Sequence, residues 1–186
     1  MFRTAIIGAA ATCLVVATAA EISFPPRPKF LYNPSNSAPI GYYSISQKQR
    51  FDVGDQVALY APNWARQLAD ERGYLPFDYP LIKTIAGKPG DQVCATGHVV
   101  SAPNYADITR LSRDSLGRDL PSWDGCFILA PNEYFVLSAG TEAGLEFGFD
   151  SRYFGPVSGE AILGVAHYIG NMSDKSSAKS SGKVRK

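Results

Sequence analysis

Short apolar or alternating segments recur between residues 41 and 170, and Gly, Pro, Asn or Asp residues separate them. Eight segments have this pattern: GYYSIS, DQVALYA, PLIKTIA, DQVCAT, HVVSA, GCFILA, EYFVLSA and ILGVAHYIG. Their length and spacing are typical of β-strands. The pattern therefore predicts a mainly β protein, built of packed antiparallel sheets or a partly closed barrel.

One segment has the pattern of a helix. Residues 64–72, WARQLADER, place Trp64 and Leu68 on the same face. Asn63 can cap the N-terminus of this helix, and Gly73 can end it. The sequence thus predicts one short helix.

The first twenty residues differ from the rest of the chain. Arg3 precedes an apolar run without charge that ends near Ala17-Thr18-Ala19. Such a run is typical of an export signal, and it is shorter than the roughly 20 residues that span a bilayer comfortably. We expect residues 1–20 to be a cleaved signal peptide or a retained membrane anchor, with the remaining chain outside the cytoplasm.

Two further segments flank the predicted domain. Residues 21–32 are rich in proline, which predicts a stiff, extended spacer. Residues 171–186 are rich in Ser and Lys without apolar periodicity, which predicts a disordered basic tail. The domain that carries the function is therefore expected to span residues 33–170.

Charge and cysteine content narrow the possible functions. A formal net charge of +1 gives no protein-wide field that would attract nucleic acid, so no nucleic-acid partner is expected. Cys13 lies in the leader, which leaves Cys94 and Cys126 as an even pair in the exported part. In an oxidising compartment we expect them to form a disulfide; two buried free thiols are the alternative.

The sequence lacks the motifs of common hydrolases. It contains no G-x-S-x-G elbow, no H-E-x-x-H helix, no Walker loop and no C-x-x-C pair. The two histidines, His98 and His167, have surroundings that favour structural roles. We therefore expect neither a metal site nor a cofactor.

A desolvated lysine is the alternative base for a serine nucleophile, because burial lowers its pKa until the neutral amine can accept a proton. In the segment PLIKTIAGKPGD, strand alternation puts Leu81, Lys83 and Ile85 on one face. If that face points inward, Lys83 is buried. The alternative is a lysine at a strand edge whose amine reaches solvent.

A candidate serine lies in NPSNSAPIGYY, residues 33–43. Pro39 and Gly41 restrict and then loosen the backbone near Ser37, which can expose its hydroxyl and leave nearby N–H groups free to face a substrate oxygen. Ser35 can add a hydroxyl donor to the same oxygen. Serine-rich turns are usually only turns, so the prediction depends on the combination with Lys83.

Four segments resemble, in order and approximate spacing, the conserved motifs of type I signal peptidases: SNSAP, VGDQVALY, LIKTIAGKPGD and FDSRYFGPV. The likeness is greatest to the conjugative-transfer branch of these membrane-associated Ser-Lys endopeptidases, the TraF branch, because residues 37–41 match its short motif S-x-P-x-G. The resemblance extends from about Asn33 to Val165. It implies a signal-peptidase-like fold.

The resemblance also implies roles for the residues at matching positions. Ser37 would attack the scissile carbonyl with Lys83 as general base, and Ser35 with the main-chain N–H of Ser37 would form the oxyanion hole. Asp150 and Arg152, in the DSR motif, would be a supporting pair that positions the site; a plain ion pair at a strand end is the alternative.

Gly148 departs from the family pattern. Many members of the family have a serine at this position, two residues before the DSR motif, and that serine hydrogen-bonds the lysine. The sequence leaves Thr84 or a water molecule to take its place.

The resemblance implies a serine endopeptidase that processes a prepilin, by hydrolysis or by head-to-tail cyclisation, for pilus assembly in conjugative plasmid transfer. Its expected partners are the prepilin, conjugative type IV secretion components and the cytoplasmic membrane surface, and its expected location is the periplasm, at the periplasmic face of the inner membrane. Two alternatives stay open: a general type I signal peptidase, and a non-catalytic periplasmic assembly or binding module.

Overall fold

The computed structural model describes Thr12 and residues 27–171. Apart from Thr12 and Asn171, the predicted leader (1–20) and tail (171–186) lie outside the described residues. No helix of the described part has the length and apolar character needed to cross a bilayer.

Eleven β-strands form the framework of the described part. Their bounds are β1 Phe30–Asn33, β2 Gly41–Ser46, β3 Gln56–Leu59, β4 Leu81–Gly87, β5 Gln92–Thr96, β6 Val99–Ala102, β7 Tyr105–Thr109, β8 Gly125–Ile128, β9 Glu133–Leu137, β10 Val157–Ser158 and β11 Ile162–Gly170. Seven of them pair in the order β1-β2-β11-β3-β4-β9-β10, and four pair in the order β7-β6-β5-β8. Every pairing is antiparallel, which confirms the predicted mainly β fold.

The predicted strands coincide with β2, β3, β4, β5, β6, β8, β9 and β11, while β1 was predicted to be spacer. Phe30–Asn33 pairs antiparallel with β2, and Leu31 packs into the core. Strand pairing therefore reaches back to Phe30, inside the predicted spacer, and Leu31 is buried there.

Three α-helices occur within residues 27–171, where one helix was predicted: α1 Asn63–Glu71, α2 Glu142–Phe147 and α3 Ser151–Phe154, together with a 3-10 helix at Gly159–Ala161. The two additional α-helices are short and depend on side-chain caps. Thr141 accepts a hydrogen bond from the N–H of Gly144 at the start of α2, and Asp150 accepts one from the N–H of Arg152 at the start of α3. Such short helices lack the periodicity by which a sequence reveals a longer one.

The predicted details of α1 are partly wrong. Pro62 occupies the N-cap position without a side-chain hydrogen bond, and Asn63 is the first helical residue. The buried face carries Ala65 and Ala69, whereas the side chain of Trp64 is 49% exposed. Ala65 packs with Val57 and Leu59 of β3 in an apolar cluster. Gly73, with φ +70°, follows the last turn, as predicted.

Apolar clusters connect the four-stranded sheet β7-β6-β5-β8, called the small sheet below, to the strands that carry the candidate site. Val93 and Val100 of the small sheet pack with Phe135 and Leu137 of β9 in one cluster. Ala38, which follows the candidate serine, packs with residues of β2, β3 and β4 in another. The backbones on both sides of the candidate site are thereby anchored in the core.

Cys94 and Cys126 form the predicted disulfide, and they lie directly opposite each other on β5 and β8. The bond closes a loop with a sequence separation of 32 residues. Because such a loop limits the freedom of the unfolded chain, the disulfide should stabilise the domain by about 2–4 kcal/mol.

We expect the double variant Cys94→Ala/Cys126→Ala to unfold at a lower urea concentration than the wild type, because its free energy of unfolding should be about 2–4 kcal/mol smaller. Wild-type protein under reducing conditions is the control and should lose a similar amount of stability. Equal urea midpoints for oxidised wild type and variant would show that the disulfide contributes nothing.

Candidate active site

The loop between β1 and β2 carries the candidate nucleophile and is organised around one buried amide, that of Asn33. Its side chain is only 5% exposed. The Nδ2 atom donates hydrogen bonds to the carbonyl oxygens of Ser35 (2.8 Å), Ala38 (2.9 Å) and Pro39 (3.2 Å). One side chain therefore determines the path of the loop, a role that the sequence analysis missed. The only feature of the sequence that points to this role of Asn33 is the Asn-Pro pair before the two serines.

Ser35 and Ser37 are hydrogen-bonded to each other, with 2.9 Å between their Oγ atoms. The Ser35 hydroxyl also donates to Oδ1 of Asn33 over 3.1 Å. Since the single proton of Ser35 is used in that bond, the hydroxyl of Ser37 is the donor between the two serines. Within residues 27–171, no hydrogen bond uses the main-chain N–H of Ser37.

Gly41 is required where the loop enters β2. Its φ is +151°, and a Cβ atom at this position would lie 2.6 Å from the carbonyl oxygen of Gly170 at the end of β11. A few residues earlier, the carbonyl of Pro39 accepts a hydrogen bond from the hydroxyl of Tyr43 over 2.7 Å. Pro39 thus binds the loop to β2 through Tyr43, and Gly41 lets the loop approach the end of β11 closely.

Lys83 points into the protein, as the inward alternative predicted. It lies on β4, which pairs with β3 and β9, and only 2% of the residue is exposed. Burial lowers the pKa of Lys83 from 10.5 to about 8; the carboxylate of Asp150 opposes this change, and the guanidinium of Arg152 adds to it. A large share of Lys83 is therefore uncharged at mildly alkaline pH.

The amine of Lys83 donates a hydrogen bond of 2.6 Å to Oγ of Ser138, which is fully buried at the end of β9. The expectation for Thr84 is wrong, because Thr84 follows Lys83 directly in the strand and its side chain points to the other face. Sequence analysis did not identify Ser138. The only feature of the sequence that points to Ser138 is its place directly after the apolar segment EYFVL. That it faces Lys83 follows only from the register of β9 on β4.

Asp150 and Arg152 form a buried pair beside Ser138. Arg152 is fully buried and donates from Nε and Nη2 to the two carboxylate oxygens of Asp150, each over 2.8 Å. Asp150 also accepts a hydrogen bond of 2.8 Å from the N–H of Ser138. The pair lies at the start of α3, so it is not an ion pair at a strand end.

The guanidinium of Arg152 also binds main-chain oxygens of β7 and of the segment around α2, residues 142–148. It donates to the carbonyls of Thr109 (2.8 Å), Gly148 (3.0 Å) and Leu145. Arg110, itself buried, donates to the carbonyl of Arg152 over 3.1 Å. The two arginines connect the small sheet to the segment around α2, and sequence analysis missed Arg110.

A cleft of about 450 Å³ brings the candidate residues together. Asn33, Ser35, Ser37 and Lys83 line it. Its walls are largely apolar and include Tyr74, Leu75, Tyr79, Leu81, Phe147 and Phe149. Within the described residues no hydrogen bond joins Ser37 to Lys83: each is bonded to a different serine. Catalytic hydrogen bonds are often long or unformed in the absence of substrate.

The chain is similar to known proteins over most of its length. The family "Signal peptidase, peptidase S26" matches residues 2–170. A conjugal transfer protein TraF of Agrobacterium tumefaciens (strain 15955) is 34% identical over 147 residues, which are 74% of this chain and 80% of that protein. A plasmid transfer protein TraF of Escherichia coli is 29% identical over 144 residues, which are 72% of this chain and 78% of that protein.

Among solved structures, a signal peptidase I from Enterococcus faecalis V583 aligns with a TM-score of 0.33 and 21% identity, over 66% of this chain and 98% of that one. The family match covers most of the sequence, and the Agrobacterium relative exceeds 30% identity over three quarters of it. The chain therefore belongs to the signal peptidase family, peptidase S26.

Proposed function

We propose that this protein is a serine endopeptidase that processes a prepilin for pilus assembly in conjugative plasmid transfer, with Ser37 as nucleophile and Lys83 as general base. The observation that carries the proposal is a lysine amine that is buried, has a lowered pKa and lines the same cleft as an accessible serine. Membership of the signal peptidase family supports peptide cleavage.

The reaction begins when the neutral amine of Lys83 takes the hydroxyl proton of Ser37 and Oγ attacks the scissile carbonyl. The main-chain N–H of Ser37 is free to donate to the resulting oxyanion. The hydroxyl of Ser35 donates to the same oxygen after turning away from Asn33. The C–N bond then breaks, and the leaving amine takes the proton from Lys83.

The acyl-enzyme that remains on Ser37 can be released in two ways. Attack by water gives a linear product, whereas attack by the amino terminus of the same substrate gives a cyclic one, and in each case Lys83 accepts a proton from the attacking group. The apolar cleft has room for several residues of an extended substrate. We propose cyclisation as one outcome of the acyl-enzyme.

The names of the relatives support the proposed pathway. Proteins 29–34% identical to this chain are named conjugal or plasmid transfer proteins. We therefore propose a role in conjugation, with the prepilin as substrate and the conjugative type IV secretion components as partners.

We also propose that the domain lies in the periplasm, with its β1–β2 side against the inner membrane. Phe30, Tyr32 and Tyr42 are exposed, and Tyr32 and Tyr42 pair across the strands with 5.0 Å between ring centroids. We call these three residues the aromatic face. Aromatic side chains favour the membrane–water interface, and this face begins at Phe30, about ten residues after the N-terminal segment that we propose reaches the membrane.

Removal of either catalytic group should stop processing. We expect Ser37→Ala and Lys83→Ala to leave a co-expressed prepilin uncleaved, because each lacks a group needed in the first step. Mass spectrometry of the pilin distinguishes precursor, linear product and cyclic product, since ring closure removes one water relative to the linear form.

Lys88→Ala is the matched control, because Lys88 lies near Lys83 in sequence but is exposed and forms a long ion pair of 3.8 Å with Asp52. It should process the prepilin as the wild type does. Cleavage of many exported preproteins in addition to the prepilin would instead identify a general signal peptidase. Normal processing by Ser37→Ala would leave only a non-catalytic role.

The activity should depend on pH through Lys83. Since the neutral amine is the active form, kcat/KM should rise with pH, with a midpoint near the lowered pKa of about 8. Rates of peptide cleavage between pH 6 and 10 provide the measurement. A midpoint near 6.5, typical of a histidine base, would contradict the assignment of Lys83.

The aromatic face should bind membranes after the leader is removed. We expect a chain that begins at residue 21 to sediment with phospholipid vesicles, and the triple variant Phe30→Ser/Tyr32→Ser/Tyr42→Ser to bind several-fold more weakly. A control with three serines at other exposed apolar positions, Val99, Leu116 and Ile128, should bind as the wild type does. Equal losses in both variants would refute a specific membrane face.

A further inference from the structure

We propose that Ser138 is a positioning residue for Lys83 and that Gly148 is glycine because Ser138 occupies the space beside it. This inference rests on the proposed function, since it concerns how the base is held. Ser138 lies outside the four segments that carry the family resemblance.

Ser138 contacts the amine of Lys83 directly. The bond of 2.6 Å to Oγ of Ser138 is the one hydrogen bond that Lys83 Nζ makes within residues 27–171, and both residues are buried. A four-carbon lysine side chain has many rotamers, so one fixed acceptor in a dry site selects among them. Ser138 thereby determines where the nitrogen lies in the cleft.

Ser138 is itself held in place by Asp150 and Arg152. Its N–H donates to Oδ2 of Asp150, and both oxygens of Asp150 are bound by Arg152. Arg152 in turn donates to carbonyls of β7 and of the segment around α2. The chain of contacts therefore runs from two parts of the backbone to the amine, and the supporting pair fixes the position of Lys83 through Ser138.

At Gly148 there is no space for a side chain, because Ser138 lies beside it. A Cβ atom at this position would lie 2.1 Å from Oγ and 2.3 Å from Cβ of Ser138, and 2.4 Å from the carbonyl oxygen of Gly144. Real Cβ contacts are never this short, so any side chain at residue 148 would displace Ser138 or the segment around α2. The serine at 138 and the glycine at 148 are thus a matched pair.

The hydroxyl also affects the charge on the amine. The groups that face Lys83 are Ser138 from the end of β9 and Asp150 and Arg152 from the start of α3. A hydroxyl that accepts a hydrogen bond from an ammonium stabilises the charged form. Loss of the Ser138 hydroxyl should therefore lower the pKa of Lys83 further while leaving the amine poorly aimed at Ser37.

The test uses Ser138→Ala in the full-length protein with the prepilin as substrate. We expect kcat/KM at its plateau to fall about 100-fold, the usual effect of misplacing a reacting group by about 1 Å. The pH midpoint of the remaining activity should move below that of the wild type. Side-chain NMR of labelled lysines, with Lys83→Arg to assign the signal, measures the same shift without activity.

Ser151→Ala is the matched control. Ser151 is also a fully buried serine that bonds to β9, but it accepts from the N–H of Val136 rather than from Lys83. This variant should lose stability and keep the pH midpoint. Gly148→Ala should displace Ser138, with losses of both activity and thermal stability.

The outcomes separate this inference from the proposed function. If the wild type does not process the prepilin, the proposed function fails. If the wild type is active and Ser138→Ala keeps its rate and midpoint, the inference about Ser138 is overturned while the peptidase stands. A midpoint that moves up towards 10.5 would indicate that solvent has entered a loosened site, and it would also overturn the positioning role.

Discussion

The structure depends on keeping the amine of one lysine away from water. A pKa lowered from 10.5 to about 8 means that burial of Lys83 costs about 3 kcal/mol of folding stability below pH 8. The cost decreases as the pH rises towards 10.5, where the unfolded chain loses the proton too. The apolar packing of β3, β4 and β9 has to offset it, which explains why the lysine lies on a central strand.

The same constraint explains the arginine network beside the site. A buried lysine needs a fixed partner, and that partner, Ser138, follows the last residue of a strand, where sheet pairing no longer holds the backbone. Asp150 supplies the missing hydrogen bond, and Arg152 satisfies its charge. Arg110 extends the connection to the small sheet. The small sheet therefore supports the candidate site without lining the cleft.

The sequence predicted the residues whose chemistry is visible locally. Lys83 stands out because an apolar strand contains it, and Ser37 because Pro and Gly flank it. Asn33 and Ser138 could not be found in this way, since their roles depend on the path of a loop and on the register of two strands. The cap at Asn63 failed because Pro62 precedes it, and β1 was missed because prolines precede it and tertiary pairing outweighs its weak pattern.

The two reactive groups are held by different partners in the free protein. The proton of Ser37 is engaged by Ser35, and the amine of Lys83 is engaged by Ser138. Ser35 is exposed and its hydroxyl can turn, whereas Ser138 is fully buried and its N–H is bound to Asp150. In the proposed mechanism, a substrate carbonyl that attracts the hydroxyl of Ser35 would break its bond to Asn33. The pKa of Lys83 is about 8, so the uncharged share of its amine grows as the pH rises through that value. In the proposed mechanism, the arrival of substrate has to bring this neutral amine and the hydroxyl of Ser37 together.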